Sequence, residues 1–143
     1  ETTVRIFVAG GTGVLGRPLV EALVDRGHEV TASTHRTENF SVVEALGARP
    51  ALMDGLDDAA VRQAILETEP EVIINQITAL SAPSRDYARW LAVTNRLRSE
   101  GTKTLMTAAR AAGTPAACNA FLLTVPRVSF LKTSTPAIFR YPQ

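Results

Sequence analysis

Three regularly spaced glycines near the start of the chain narrow its possible folds sharply. Gly10, Gly13 and Gly16 follow a β-branched-rich run, residues 4–9, which is typical of a buried strand. Directly after them, leucines at helical spacing predict an amphipathic helix that ends at Gly27. A strand, a glycine turn and a helix in this order indicate the first half of a nucleotide-binding βαβ unit.

Each part of the glycine loop has a physical role in holding a diphosphate. Gly10 permits a tight turn, Gly13 lets the backbone come close to the phosphates, and Gly16 lets the helix pack closely against the sheet. The first helical turn offers unpaired N–H groups and a partial positive charge to an anion. We therefore predict that a dinucleotide pyrophosphate binds here, and that three further residues take part: Thr12, Val14 and Leu15. The plain alternative is a glycine-rich turn without a ligand, whereas a P-loop is excluded because no Gly-Lys-Ser/Thr sequence ends the loop.

The rest of the chain alternates between strand and helix patterns. Short apolar runs predict four further strands, at 29–33, 49–53, 72–77 and 120–125. Helical spacing predicts helices at 40–46, after a capping residue Asp57 with Val61, Ile65 and Leu66 inward, and over 87–112. Such alternation implies right-handed crossovers and a parallel sheet that is covered on both faces. We therefore predict an α/β fold with a three-layer, doubly wound parallel sheet, the Rossmann architecture.

Residues 114–143 differ in composition from the rest. No acidic residue follows Glu100, and half of the eight prolines lie in this segment. We therefore predict a fold that is truncated after its fifth strand, with a dinucleotide-binding Rossmann domain over 1–113 and a divergent or truncated C-terminal segment over 114–143. Three explanations fit this sequence: the C-terminus is truncated, it has diverged, or it is translated in a different reading frame from that of related proteins.

Composition and charge exclude several other functions. The net charge is +1 and no run concentrates Lys or Arg, so we expect neither a nucleic-acid nor a membrane partner. No apolar stretch reaches transmembrane length. His28 and His35 lack partners at ligand spacing, so we expect no metal site. Cys118 is the only cysteine, which favours a reducing, cytoplasmic location.

The spacing Gly10-x-x-Gly13-x-x-Gly16 departs from the G-x-G-x-x-G of many dehydrogenases. Together with the strand at 4–9, it resembles the extended and atypical short-chain dehydrogenase/reductase superfamily. That superfamily includes NAD(P)-dependent epimerases/dehydratases and NmrA-like proteins, and the resemblance covers about residues 3–113. It implies the strand order 3-2-1-4-5 and a possible homodimer interface through the long helix at 87–112.

Three further segments carry this resemblance and the site residues that it implies. Asp54 and Gly55, after the third strand, resemble the family's segment beside the adenine. Gln76 and Ile77, at the end of the fourth strand, resemble the segment beside the ribose and nicotinamide. Asn95, in a Thr-Asn pair of the long helix, resembles the family's Asn that supports the active site.

The end of the second strand bears on the choice of cofactor. NAD sites usually place an acidic residue there, but this chain has Ser33, Thr34, His35 and Arg36. No carboxylate repels a 2′-phosphate, Arg36 can pair with it, and the hydroxyls of Ser33 and Thr34 can add hydrogen bonds. We therefore predict NADP(H) as the cofactor, with NAD as the alternative; the plain reading of Arg36 is a solvated loop residue.

The catalytic motif of the resembling family is absent from this sequence. Relatives use Tyr-x-x-x-Lys, in which the phenol transfers a proton and the lysine lowers its pKa. No tyrosine here is followed by a lysine at that spacing, and Thr124 is a weak candidate for the family's Ser or Thr.

Two kinds of function therefore stay open, with the substrate unknown. The chain is the cofactor-binding part of an oxidoreductase or epimerase that acts by hydride transfer, or it is a non-catalytic, NADP(H)-binding or redox-sensing NmrA-like module. An unliganded α/β remnant is a third, plainer reading.

Overall fold

A computed structural model of the protein describes residues 2–77 and 87–119. The sheet contains β1 (Arg5–Ala9), β2 (Glu29–Thr34), β3 (Arg49–Leu52), β4 (Val72–Asn75) and β5 (Ala116–Asn119). The helices of this part are α1 (Gly16–Asp25), α2 (Phe40–Ala45), α3 (Asp58–Thr68), α4 (Tyr87–Arg96) and α5 (Thr102–Ala111). A short 3-10 helix, Thr37–Asn39, precedes α2, and a π-helical turn, Leu97–Gly101, joins α4 to α5.

The strands pair in parallel in the order β3-β2-β1-β4-β5. This confirms the predicted doubly wound α/β fold and its strand order. The direction of winding reverses at β1, because β2 lies on one side of it and β4 on the other. In open sheets of this kind, ligands bind outside the carboxyl ends of the strands at the point of reversal.

The central strand β1 is buried on both faces of the sheet. Ile6 and Val8 pack in one core cluster with Val20 of α1, whereas Phe7 packs in a second cluster with Ile65 of α3. Successive side chains of a strand point to opposite faces, so the unbroken apolar run at 4–9 produces this two-sided burial. Burying a side chain such as Phe7, which is 0% exposed, contributes about 1.5–3 kcal/mol.

Helix α3 begins as predicted at a capping aspartate. The Asp57 carboxylate accepts hydrogen bonds from two backbone N–H groups of the first turn, at 3.0 and 3.1 Å. Val61 and Ile65 are buried, but Leu66 is exposed, so its predicted inward orientation was wrong. Leu66 directly follows Ile65 and is therefore rotated by about 100° around the helix axis, away from the core.

Two other elements differ from the prediction. β5 lies at Ala116–Asn119, upstream of the predicted 120–125, which is outside the described residues. The sequence Ala-Ala-Cys-Asn lacks the β-branched residues that mark the other strands, which explains the error. The helix predicted as continuous over 87–112 contains the π-helical turn.

The division of the chain at residue 113 stays a prediction, because 114–143 is described only as far as 119. Within 2–77 and 87–119, no helix combines the length and apolar character needed to cross a membrane.

Candidate functional site

The glycine loop meets the end of β4 at the carboxyl edge of the sheet. Gly10 follows β1 with φ of +81°. A Cβ atom on Gly10 would lie 2.9 Å from the backbone C and O atoms of Gln76 and 3.0 Å from Cα of Ile77. Glycine is required here both by the left-handed turn and by this close approach. Gly10, Gln76 and Ile77, three of the predicted cofactor residues, therefore lie together.

Gly13 and Gly16 have different surroundings within the loop. A Cβ atom on Gly16 would overlap the carbonyl oxygen of Gly10 and lie 2.8 Å from Cα of Gly11. Gly16 thus lets α1 pack on the backbone of the loop itself, whereas the sequence predicted close packing on the sheet. A Cβ atom on Gly13 would approach the Gly10 oxygen alone, at 3.5 Å, and Gly13 is exposed. Among the described residues, the space beside Gly13 is open to a ligand.

Helix α1 begins without a side-chain cap. Leu15 stands at the capping position and makes no side-chain hydrogen bond there. Within the described segments, the backbone N–H groups of Val14 and Leu15 have no acceptor, and Val14 is 87% exposed. Unpaired N–H groups at a helix N-terminus carry a partial positive charge that attracts phosphate. The loop therefore has the donors and the space that a dinucleotide pyrophosphate needs.

Ser33 joins the loop to β2. Its Oγ accepts a hydrogen bond from the N–H of Gly10 at 3.0 Å, and its carbonyl oxygen accepts one from the N–H of Gly11 at 3.0 Å. Ser33 is 2% exposed. The hydroxyl that was predicted to help bind a cofactor phosphate thus accepts a bond from the loop backbone.

Thr34 organises the segment that carries Arg36. The buried Thr34 hydroxyl accepts hydrogen bonds from the Arg36 N–H at 3.3 Å and from Nδ2 of Asn39 at 3.4 Å. It also donates to the Arg36 carbonyl oxygen at 3.4 Å. The Arg36 side chain is exposed at the carboxyl end of β2. Thr34 therefore restrains the backbone from which the Arg36 guanidinium extends.

Asp54 and Gly55 form the turn after β3. The Asp54 carboxylate accepts a hydrogen bond from the N–H of Leu56 at 2.9 Å. A Cβ atom on Gly55 would lie 2.9 Å from Cδ1 of Ile77 and 3.3 Å from Cδ2 of Leu97. The second pair of predicted cofactor residues therefore packs beside Ile77, which in turn lies against Gly10.

Asn75 is a buried polar residue of the site that the sequence analysis did not single out. It is 0% exposed at the end of β4, where Oδ1 accepts from the N–H of Ile77 at 3.1 Å. Its Nδ2 donates to the hydroxyl of Thr102 at 3.2 Å. The signal was present, because an amide in an apolar strand must find hydrogen-bond partners when it is buried.

Arg17 was also missed. Its Nε donates to the carbonyl oxygen of Thr12 at 3.0 Å, which fixes the outer part of the loop. Arginine at the second position of a helix gives no such signal in the sequence, because the bond depends on the shape of the loop.

The remaining predicted residues lie elsewhere. Asn95 is exposed on α4, and the part of the chain that the structure describes shows no hydrogen bond from its side chain to the glycine loop. Thr124 lies outside the described residues. Within 2–77 and 87–119, no group of three or more His, Cys, Asp or Glu side chains could hold a metal ion.

Comparison with known proteins gives a family and several relatives. A model of the NAD dependent epimerase/dehydratase family matches residues 6–135. A 3-diazoavenalumate denitrifying reductase from a Streptomyces species is 44% identical over 109 residues, which are 76% of this chain and 34% of that protein. A 4-hydroxy-2-methyl-3-oxo-4-farnesyl-3,4-dihydroquinoline-1-oxide ketoreductase from Stigmatella aurantiaca is 35% identical over 74% of this chain and 30% of its own length. The chain thus spans about a third of the length of these relatives.

Solved structures share the fold. The UDP-glucose 4-epimerase of Thermus thermophilus, solved in complex with NAD, is 26% identical with a TM-score of 0.63. That match covers 79% of this chain and 36% of the epimerase. A UDP-glucose-4-epimerase from Stenotrophomonas maltophila matches with a TM-score of 0.67 at 18% identity, over 81% of this chain and 36% of the epimerase.

Proposed function

This chain belongs to the NAD dependent epimerase/dehydratase family, and we propose that it binds NADP(H) in preference to NAD(H). A nicotinamide dinucleotide is the cofactor of this family, so the proposal concerns the choice between the two forms and the residues that make it. The observation that carries this choice is the exposed Arg36 side chain just after Thr34, at the end of β2. The open space beside Gly13 and, among the described residues, the unpaired N–H groups of Val14 and Leu15 support binding of a dinucleotide in either form.

The pyrophosphate is held by the loop and the first turn of α1. Gly13 lets the phosphates approach the backbone, and the N–H groups of Val14 and Leu15 donate to them. Thr12 lies between these residues and Gly10, and Arg17 holds its carbonyl oxygen. Gly10 and Gly16 act indirectly, since they shape the loop.

Arg36 selects the 2′-phosphate of NADP(H). The end of β2 has a threonine where an acidic residue would accept hydrogen bonds from the ribose of NAD. An exposed guanidinium next to it can form bidentate, charge-assisted hydrogen bonds with a phosphate. Thr34 supports this role by restraining the Arg36 backbone, and Ser33 supports it by accepting the hydrogen bond from Gly10 that shapes the loop.

The rest of the cofactor lies along the carboxyl edge of the sheet. We assign the adenosine side to the turn at Asp54 and Gly55, and the second ribose and nicotinamide to Gln76 and Ile77. The contacts among Gly10, Ile77 and Gly55 support one continuous surface. Asn95 is assigned to the support of the active site in the longer protein.

The reaction of the full-length lineage is reduction, oxidation or epimerisation. The nicotinamide supplies hydride transfer when it is bound, and the described residues bind and orient it. Two curated relatives carry the names of reductases, which supports an oxidoreductase. A second candidate is a non-catalytic, redox-sensing NmrA-like module, which is favoured by the lack of Tyr-x-x-x-Lys in this chain.

A homodimer through 87–112 is part of the proposal. On one face of α4, Tyr87 and Leu91 are exposed and lie one turn apart. The ring of Tyr87 lies 5.3 Å from that of Trp90, measured between centroids. A second copy of α4 can cover this surface. A cytoplasmic location, the lack of nucleic-acid and membrane partners and the division into 1–113 and 114–143 stay predictions from the sequence.

Calorimetric titration with NADPH and with NADH tests the cofactor proposal. Micromolar binding of NADPH, with NADH at least tenfold weaker (roughly 1.4 kcal/mol), is the expected result. Equal binding of the two contradicts the role of Arg36, and no binding of either by a folded sample contradicts the site. Oxidation of bound NADPH in the presence of carbonyl compounds, followed by absorbance, separates the enzyme from the non-catalytic module.

A further inference from the structure

Gly101 occupies a position in the long helix where the backbone does not require glycine. It ends the π-helical turn with φ of −61° and ψ of −39°, which are ordinary helical values. Glycine inside a helix lowers the stability of that helix relative to alanine. The physical reason for glycine at this position must therefore be sought in the space around it.

That space is filled by the turn after β3. A Cβ atom on Gly101 would lie 3.0 Å from the carbonyl oxygen of Gly55. Leu97, at the other end of the π-helical turn, is buried, and its Cδ2 would lie 3.3 Å from a Cβ atom on Gly55. The π-helical turn thus packs against Gly55 through both of its ends.

Two sets of contacts lead from this turn to the glycine loop. Gly55 packs beside Ile77, whose Cα lies 3.0 Å from the Cβ position of Gly10. Thr102, the residue after Gly101, accepts a hydrogen bond from Asn75, and Asn75 in turn accepts one from the N–H of Ile77. Both sets meet at Ile77, at the edge of the sheet where ligands bind in folds of this kind.

We propose that Gly101 is a positioning residue for the dinucleotide site. Its lack of a side chain lets the long helix approach the Gly55 carbonyl, and this approach holds the Asp54–Gly55 turn against Ile77. A methyl group at Gly101 displaces the turn by a few tenths of an ångström, because 3.0 Å is too short for an unstrained contact of this type. This inference rests on the proposed function, since it assumes that the dinucleotide lies along this edge.

The test is Gly101→Ala, with ADP and NADPH as the ligands in calorimetry. We expect both dissociation constants to rise at least fivefold, because both ligands use the adenosine side of the site. The unfolding temperature of the ligand-free variant should change little, since the strain of the 3.0 Å contact opposes the gain in helix propensity. A residue with a purely structural role would not give this split between affinity and stability. The matched control is Thr107→Ala on the exposed side of α5, which should bind both ligands like the unmodified chain.

Unchanged ADP and NADPH binding by a folded Gly101→Ala variant overturns the inference and leaves the proposed function intact. Failure of the unmodified chain to bind ADP, NADPH or NADH contradicts both. If the variant does not fold, amide hydrogen exchange of the unmodified chain, with and without ADP, tests whether Gly55 and the π-helical turn respond to the ligand together. ADP should then slow exchange at Gly55 and in the π-helical turn together, whereas slowing at Gly55 alone counts against the proposal.

Discussion

The backbone N–H of Gly10 donates a hydrogen bond of 3.0 Å to the hydroxyl of Ser33, which joins the glycine loop to the neighbouring strand. Gly11 donates to the carbonyl oxygen of the same residue, also at 3.0 Å. One buried serine therefore fixes two consecutive loop residues. The loop is held in shape by the protein alone, so a ligand does not have to order it.

Ser33→Ala should weaken the fold and the cofactor site together. The substitution leaves the N–H of the half-buried Gly10 without its acceptor, and the loss of such a bond costs about 1 kcal/mol. The free energy of unfolding, measured with urea, should fall by that amount, and NADPH should bind more weakly. Ser41→Ala, on the exposed side of α2, is the control and should change neither quantity. Equal stability of the two variants would show that the bond to Gly10 contributes nothing.

Gly13→Ala and Gly16→Ala should separate ligand binding from folding. A methyl group on Gly13 makes one ordinary contact, at 3.5 Å to the Gly10 carbonyl oxygen, so the unfolding temperature should be close to that of the unmodified chain. NADPH affinity should nevertheless fall at least about tenfold, or 1.4 kcal/mol, because the methyl occupies the approach of the phosphates.

A methyl group on Gly16 overlaps the Gly10 carbonyl oxygen, so this variant should lose about 1–3 kcal/mol of stability. Thermal unfolding and calorimetry check both, and a stable Gly13→Ala variant with full affinity would falsify the assignment of the phosphate site.

Arg36→Ala should reduce cofactor discrimination. Hydrogen bonds to charged groups contribute about 1.5–3 kcal/mol, so NADPH should bind roughly 10- to 100-fold more weakly. NADH lacks the 2′-phosphate and should bind as before. The control is Arg62→Ala, an exposed arginine in the middle of α3. An equal loss for NADPH and NADH would place Arg36 outside the 2′-phosphate site.

Glu100 should titrate in acid below the ordinary glutamate range. Arg96 donates to both of its carboxylate oxygens, at 3.2 and 3.0 Å, and lowers its pKa, first through these hydrogen bonds and then through its charge. The pair therefore favours the folded state above the ordinary pKa of glutamate, and this contribution disappears as the pH falls through the lowered value. Because both side chains are exposed, the unfolding temperature at neutral pH should hardly change in Arg96→Gln.

Nuclear magnetic resonance titration of the Glu100 carboxyl measures this shift. The pKa should return toward its ordinary value in Arg96→Gln and should stay low in Arg62→Gln. A pKa that does not respond to Arg96→Gln would mean that the ion pair does not form in solution.

The fold was readable from the sequence because its signals are local. Each signal acts on residues close to it in the sequence and can therefore be recognised without the structure. Examples are the apolar run at 4–9, the glycines that follow it and the capping aspartate Asp57. The strand order came from resemblance to a family, since no local pattern in the sequence marks which parallel strands are neighbours. β5 was misplaced because Ala116–Asn119 becomes a strand by pairing with β4, and its own propensity is weak.

The parts of the site that escaped prediction depend on contacts between distant residues. The bond between Asn75 and Thr102 and the approach of Gly101 to Gly55 appear only when the helices lie on the sheet. Ser33 was predicted as a site residue, but its hydrogen-bond partner was not. Its position at the end of β2 was recognised, but the partner of its hydroxyl is set by the path of the glycine loop.

The π-helical turn also sets the phase of the helix on either side of it. At 100° per residue, Leu91 and Leu105 would lie within about 40° of the same face of an unbroken α-helix. One extra residue in the wider turn rotates one half by about 100° relative to the other. Leu105 is accordingly 0% exposed on the sheet, while Leu91 is 36% exposed on α4. The exposed face of α4 and the buried face of α5 can therefore change independently during evolution. A substitution on the exposed face of α4 does not alter the packing of α5 against the core.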